Sequence, residues 1–456
     1  MGISIQHFIQ EKRTIHLIGI GGVSMSALAE LLLSHGVPVT GSDRQESEVT
    51  IQLEKAGAHI TYAHLPENVN GAGLVIRTAA VHDDNLEVIR AREIGIPVIE
   101  RAEAWGSLMT DYRDVVCFSG THGKTTSTSM MTMITMHAGL DPTVMVGSHL
   151  PVINGTLRIG AHNCFVAEAC EYCNSFLSFR PTVAVVLNVE EDHLDFFHDI
   201  DDIISSFRKF CALVPENGMV VANADDPNTV RSVRNAQRVV TFGLSERADV
   251  RAVDISSQNG FYKFTVLVRD QFYADVQLSV PGRHNMLNAL ACCAAADFLG
   301  IPGDAAADGL NCFTGSSRRF QVMGRTEKGA LVVDDYAHHP SEMRATLDAA
   351  RQMGFRRIFC AFQPHTYTRT KALLKDFARE LSTCDQAVLA PIFAAREKNT
   401  IGIHSEDLAA LVPRAVTFQK FADIAEYLDR RAGEGDLILT MGAGNINTVC
   451  DLLVQH

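Results

Sequence analysis

Three α/β domains in series are predicted by the order of apolar strands, helical patterns and glycine-rich turns along the 456 residues. In the first hundred residues, short apolar segments at 14–20, 38–40, 74–78 and 97–99 alternate with helical patterns at 25–34, 50–56 and 86–94. That rhythm implies a parallel sheet with crossover helices. At 115–118 a second apolar strand runs into a glycine-rich turn ahead of a Met- and Thr-rich helical stretch, and another strand follows at 183–188. From 250 to 280 polar and apolar residues alternate, which predicts antiparallel strands. A third unit carries strands at 331–334, 358–362, 387–390 and 437–440, after a Gly/Ser/Arg stretch at 314–319 that suits a linker. The expected boundaries are 1–107, 108–314 and 315–456, in keeping with about three domains of ordinary size.

Composition narrows the class. Apolar residues make up 46% and charged residues 20%, as in a globular protein. A net charge of −13 argues against a nucleic-acid partner, so anionic substrates need locally clustered Lys and Arg. Eleven cysteines in so long a chain are no disulfide framework, and Cys117, Cys292, Cys293 and Cys360 stand in apolar surroundings. The apolar run 15–33 is interrupted by His16, three glycines and Glu30. No membrane insertion or secretion signal is therefore expected, and the expected location is cytoplasmic.

The segment Ser119-Gly120-Thr121-His122-Gly123-Lys124-Thr125-Thr126 combines what a nucleoside triphosphate requires. Its glycines let backbone N–H groups close on phosphate oxygens, and the following helix supplies a positive dipole end. Lys124 reaches the β- and γ-phosphates, while the Thr125 hydroxyl ligates Mg²⁺. The strict spacing would place glycine where Phe118 stands. A chance Gly-Lys-Thr turn is the plain alternative, and the strand before and helix behind weigh against it.

The first turn, Gly19-Ile20-Gly21-Gly22-Val23-Ser24, with Asp43 after the next strand, suits a nucleotide or UDP-sugar diphosphate, and equally a nicotinamide cofactor. Glu168 and the run Asn188-Val189-Glu190-Glu191-Asp192-His193-Leu194-Asp195 follow buried strands, where carboxylates and a histidine suit Mg²⁺ or its waters. Glu191 and Asp192 also read as a solvated acidic turn. Cys170 and Cys173 have CxxC spacing, but no second pair completes a zinc site. Asn285 and Asn288 recur at helical spacing and suit a purine edge, with helix capping by Asn285 as the alternative. Asp334-Asp335-Tyr336-Ala337-His338-His339-Pro340 and Gln363-Pro364-His365-Thr366-Tyr367-Thr368-Arg369 are expected at the carboxyl ends of adjacent parallel strands, as an active-site rim. Ala394-Ala395-Arg396-Glu397 and the turn at 441–445 follow two further strands.

In this order, GIGG with TGSD, GTHGKTT, NVEEDHLD, GRHNMLNA, DDYAHHP and PHTYTRTK resemble the Mur ligases of peptidoglycan synthesis over essentially the whole chain. The resemblance implies an N-terminal Rossmann-like UDP-sugar domain, a central P-loop ATPase-like α/β domain and a C-terminal Rossmann-like α/β domain. The last two segments point to the members that join L-alanine to UDP-N-acetylmuramate with ATP and Mg²⁺ through an acyl phosphate. Members that recycle a murein tripeptide lack a PHxYTRT-like segment. Residue by residue, the resemblance assigns Lys124 and its neighbours Gly120, Thr121, His122, Gly123, Thr125 and Thr126 to the phosphates. It assigns Thr125, Glu168 and His193 to magnesium, and Asn285, Asn288, Arg319 and Asp335 to the nucleotide. Gly19, Gly21, Gly22, Ser42, Asp43, His64 and Arg101 would line the UDP-sugar pocket. His338, His365 and Arg369 would face the alanine, with Arg369 on its carboxylate; the sequence leaves open which histidine takes the amine's proton, with His338 preferred to His339. A monomer or homodimer is expected.

Three positions depart from the family pattern: Ser24 for glycine, Cys170 for the aspartate of an E-A-D-E run, and Thr366 for the arginine of PHRYTRT. Some relatives carry a carbamylated lysine. The matching stretch, Ser205-Ser206-Phe207-Arg208-Lys209-Phe210, predicts none here. A nicotinamide oxidoreductase would leave the Lys124 loop and both C-terminal clusters without a use. A non-catalytic UDP-sugar-binding protein has only the three departures in its favour.

Overall fold

The computed structural model describes residues 4–395 and 397–454, so Arg396 lies outside the described residues. Five strands, β1 (Ile15–Ile18), β2 (Val39–Ser42), β3 (His59–Thr61), β4 (Leu74–Arg77) and β5 (Val98–Glu100), form a parallel sheet in the order 3-2-1-4-5. Every residue of β1 is buried. Ile15 and Leu17 pack on one face with Leu28 of the helix Val23–Ser34, while Ile18 packs on the other with Val88 of the helix Leu86–Glu93. That two-sided burial explains the continuous apolar run. The sequence shows no sign of β3, whose His-Ile-Thr is half-exposed and only three residues long. The short helix Ile5–Gln10 is equally unmarked in the sequence; only Ile5 and Phe8 in it are buried.

The central sheet has ten strands. They are β6 (Asp114–Ser119), β7 (Thr143–Leu150), β8 (Gly155–Arg158), β9 (Cys164–Glu168), β10 (Val183–Val186), β11 (Met219–Asn223), β12 (Val239–Gly243), β13 (Val250–Gln258), β14 (Phe261–Val268) and β15 (Gln271–Gln277). Their order is 15-14-13-12-11-10-6-9-7-8. The strand β6, which leads into the Lys124 loop, runs parallel between β10 and β9. The antiparallel strands expected between 250 and 280 are β13 to β15.

The third sheet comprises β16 (Gln321–Arg325), β17 (Leu331–Asp335), β18 (Arg357–Phe362), β19 (Gln386–Leu389), β20 (Val416–Thr417) and β21 (Asp436–Met441), in the order 16-17-21-18-19-20. One expectation is corrected. The DDYAHHP and PHTYTRT segments do not leave adjacent strands, because β21, the last strand in the chain, inserts between β17 and β18. All six residues of β21 are buried, as a central strand demands. Its end is followed by Gly442, whose N–H donates to Asp335 O at 3.2 Å, and the loops on either side still converge across it. Among the described residues no helix is long and apolar enough to cross a membrane.

Candidate active site

The loop after β6 turns through left-handed glycines at Gly120 (φ 137°) and Gly123 (φ 86°) before the helix Lys124–His137 begins. A Cβ on Gly123 would stand 2.7 Å from Asn288 Oδ1, so space as well as backbone angle requires glycine there. Asn188 clamps the loop: its Oδ1 accepts from His122 N at 2.8 Å, and its Nδ2 donates to His122 O at 3.0 Å. Thr121 Oγ1 accepts from Glu190 N at 2.9 Å.

Lys124 Nζ curls back to Gly120 O (2.5 Å) and Thr121 O (3.0 Å) and pairs with Glu171 Oε2 at 3.1 Å. Burial works against the charge of this lysine, but the Glu171 carboxylate and its neighbours outweigh it and raise the ammonium above its usual value. Thr125 Oγ1 donates to Glu168 Oε2 at 2.8 Å, and Gly147 N donates to the same oxygen at 2.9 Å. Arg319 Nη2 lies 3.3 Å from Thr125 Oγ1, while its Nε is buried with no partner among the described residues. His193, at φ 54°, is 3.9 Å from Glu171 Oε1. Thr125 and Glu168 are thus brought into direct contact, whereas His193 is linked to the lysine through Glu171.

Three cavities open on this centre. One of about 350 Å³ lies between the second and third sheets and is lined by His122, Asn285, Asn288, Arg319, Asp335 and Thr126 among others. Gly282, not Asn285, caps the helix Arg283–Phe298; Asn285 Nδ2 instead donates to Pro281 O at 2.7 Å. Asp335 accepts from Phe320 N and Ala337 N, and burial pushes its carboxyl up to about 6.

A second cavity, about 300 Å³, is lined by Tyr172, His193, His365, Thr366, Arg369 and Glu397 among others. Arg369 is not free in it: Nε and Nη2 donate to Asp192 Oδ1 at 3.1 and 2.7 Å, and Nη1 meets His365 Nδ1 at 3.1 Å. Of the two residues that read as a solvated acidic turn, Asp192 is therefore a buried ion-pair partner and only Glu191 is exposed. Burial and the neighbouring His338 and Arg369 push His365 down to about 4. His338 is also pushed down to about 4 by burial, with Nδ1 3.0 Å from Tyr336 O.

The third cavity, about 350 Å³, joins the first and second sheets and is lined by Gly22, Arg101, Trp105, Glu168 and Cys170 among others. The Arg101 guanidinium, largely withdrawn from solvent, makes no hydrogen bond or ion pair among the described residues. A cation so placed suits an anionic partner, although the Glu100 charge also acts on it. Gly19 N donates to Ser42 O at 2.8 Å, and Gly21 N donates to Asp43 Oδ2 at 2.8 Å, so Asp43 braces the loop. Ser42 Oγ and His64 Nδ1 both bond to Glu87 rather than lining that cavity.

Three family models match the chain: Mur ligase family, catalytic domain, at residues 14–113; Mur ligase middle domain at 118–296; and Mur ligase, glutamate ligase domain at 318–444. The chain belongs to the Mur ligase family. It is 47% identical over 454 residues to the UDP-N-acetylmuramate–L-alanine ligase of Caldanaerobacter subterraneus subsp. tengcongensis, covering 98% of each chain. It is 48% identical over 448 residues to the ligase of the same name from Acetivibrio thermocellus, covering 97% of this chain and 95% of that one. The crystal structure of UDP-N-acetylmuramate–alanine ligase from Thermotoga maritima superposes with a TM-score of 0.81 at 30% identity, covering 96% and 97% of the two chains.

In this Mur ligase one departure has a local use. Ser24 Oγ accepts from Trp105 Nε1 at 3.1 Å, a bond glycine could not make. Thr366 takes a positive φ of 64° at the cap of the helix Tyr367–Ala372. Lys209 lies on the exposed side of the helix Ile200–Cys211, away from the buried Phe207 and Phe210.

Sequence reasoning missed Glu171, Ser341 and Glu342. His122 Nδ1 is 3.1 Å from Glu342 Oε1 and its Nε2 is 2.9 Å from Ser341 Oγ, which also donates to Glu190 Oε2 at 2.6 Å. Glu342 and Glu190 overcome the cost of burial and raise His122 to about 9. His122, Glu190 and His339 have metal-ligand spacing, but the Ser341 hydroxyl lies among their atoms and satisfies them. The available signal was the capping pattern at His339-Pro340-Ser341-Glu342, which turns Glu342 back onto the helix start.

Proposed function

We propose that this Mur ligase joins L-alanine to the lactyl carboxylate of UDP-N-acetylmuramate with hydrolysis of ATP, as the names of its relatives state for them. The carrying observation is that Glu168, hydrogen-bonded to the phosphate-loop Thr125, also lines the cavity holding the unpaired Arg101. A sugar nucleotide at the Gly19–Ser24 turn reaches the triphosphate through that cavity.

A carboxylate is a poor electrophile. Its oxygen attacks the γ-phosphorus, ADP departs, and the acyl phosphate formed carries a good leaving group. Lys124 and Arg319 offset the charge of two anions brought together. The amine of alanine then attacks the acyl carbon, phosphate leaves, and the amine's proton passes to His338, whose ring is neutral and uncharged at neutral pH. Arg369 holds the alanine carboxylate, shared with Asp192. The oxygen donors of Thr125 and Glu168 fit a hard divalent cation, with His193 completing the set beyond Glu171. Mg²⁺ held there would neutralise phosphate charge. Asn285, Asn288 and Asp335 line the nucleotide's base and ribose. The same reading places the protein in the cytoplasm, with ATP and its sugar nucleotide.

Phosphate release from ATP with UDP-N-acetylmuramate, scanning amino acids singly, tests this. Release with L-alanine above glycine and L-serine is expected. Release only with a murein tripeptide would move the protein to the recycling reaction, and silence with every amine would leave a binding protein.

A further inference from the structure

Glu87, the second residue of the helix Leu86–Glu93, has no exposed surface, yet four donors converge on its carboxylate. Oε1 accepts from His16 Nε2 (3.2 Å) and Asn68 Nδ2 (2.7 Å); Oε2 accepts from Ser42 Oγ and His64 Nδ1, both at 2.8 Å. Burial pushes the carboxyl up, but the hydrogen bonds from His16, Asn68 and Ser42 prevail and keep it below the usual carboxylate value. The next residue, Val88, packs with Ile18, Val69 and Val75, so an apolar side chain would find company here. Stability alone is a weak reason to bury a carboxylate in such a place.

The network has a direction. An ionised carboxylate only accepts, so a hydrogen of His64 sits on Nδ1, facing Glu87 Oε2, and whenever the ring is neutral its lone pair is on Nε2. His16 is buried, whereas the His64 side chain is 25% exposed. Ser42, whose hydroxyl joins the network, accepts through its backbone oxygen from Gly19 N (2.8 Å) and Ile20 N (3.1 Å). Ser42, one member of the network, therefore adjoins the first glycine turn, and its Oγ lies 3.0 Å from His64 Nδ1.

We propose that Glu87 is a positioning residue of the sugar-nucleotide site, which locks His64 in its Nδ1–H form so that Nε2 accepts a hydrogen bond from an O–H or N–H of the uridine nucleotide. The inference rests on the UDP-sugar reading of the Gly19–Ser24 turn. It assigns His64 to the nucleoside rather than to the phosphates, because an acceptor does not meet an anionic oxygen.

Binding of UDP is measured by calorimetry for the wild type, Glu87→Met, His64→Ala and the double variant, with KM for UDP-N-acetylmuramate and ATP alongside. One lost hydrogen bond predicts about tenfold weaker UDP binding in Glu87→Met. The same loss is expected in His64→Ala, and the double variant is no weaker than His64→Ala alone. KM for the sugar nucleotide rises and KM for ATP does not. A purely structural Glu87 would leave UDP affinity unchanged in the folded variant, or give losses that add, and either result overturns the proposal. Imidazole ¹⁵N NMR of the wild type tests it without any variant: the hydrogen is expected on His64 Nδ1, and finding it on Nε2 overturns the proposal. A wild type that binds no UDP would instead overturn the sugar-nucleotide reading on which the inference stands.

Discussion

At the scale of single residues, Lys124 shows how one side chain serves two states. It is held by Gly120 O, Thr121 O and Glu171, and on the proposed function a bound triphosphate would exchange those partners for phosphate oxygens. Lys124→Ala is expected to abolish turnover yet leave a cooperative melting transition, because Gly120 and Gly123 shape the turn. The buried Glu171 loses its cation, which costs about 3 kcal/mol of stability; turnover within tenfold of wild type would remove Lys124 from the phosphates. Arg369 has a parallel position. Its planar fork gives Asp192 two hydrogen bonds and His365 one, a geometry lysine cannot copy. Arg369→Lys should mainly raise KM for the amino acid, and an unchanged KM in steady-state kinetics would place the carboxylate elsewhere.

At the scale of elements, the start of the helix Pro340–Gln352 is the latch between the second and third sheets. His339 and Glu342 form a reciprocal cap at its first turn, and that cap sets Glu342 against His122 of the phosphate loop. His122 is raised from an imidazole's ordinary 6.5 to about 9, so the stability it contributes is complete below 6.5 and is lost as pH climbs through about 9. Neighbouring groups act outside that window. Glu190, lowered to about 2, loses its contribution only in acid, and His339, lowered by burial, disfavours the fold as pH falls. Thermal midpoints from pH 6.5 to 9.5 should therefore decline, and the decline should flatten in His122→Gln. Parallel curves for the two proteins would show that the latch carries no pH dependence.

At the scale of the whole molecule, groups for one reaction come from all three sheets. Arg101 stands with Glu168 across one junction, while Arg319–Thr125, Arg369–Asp192 and Ser341–Glu190 cross the other. Two of these contacts use Arg319 and Arg369, which the proposed function gives to nucleotide and amino acid, so on that reading ligands would exchange domain contacts for ligand contacts. Small-angle scattering is expected to give a smaller radius of gyration with nucleotide and UDP-sugar present. Asp192→Ala without ligands should give a larger one than wild type. Identical profiles in every state would mean a rigid arrangement.

What the sequence by itself determined were the features written in neighbouring residues. Strand and helix periods announce three α/β units, glycines ahead of Lys124 announce a tight turn between strand and helix, and Lys124, Thr125 and the His- and Arg-rich segments stand beside the apolar strands that end at them. The tertiary structure decided the pairings. Asp192 and Arg369 are 177 residues apart, Thr125 and Arg319 are 194 apart, and neither partner carries a local mark of the other. Glu87 lies in the first turn of the helix Leu86–Glu93, and its four donors come from two strands, a short helical turn and a loop, none of them adjacent to it in the chain. Insertion of β21 between β17 and β18 is equally silent in the chain, because strand order reflects how buried faces are shared and not their sequence. Backbone preferences and amphipathic period act over a few residues, so they are legible locally; the neutralisation of buried charge acts through space, so it becomes visible only once the sheets are assembled.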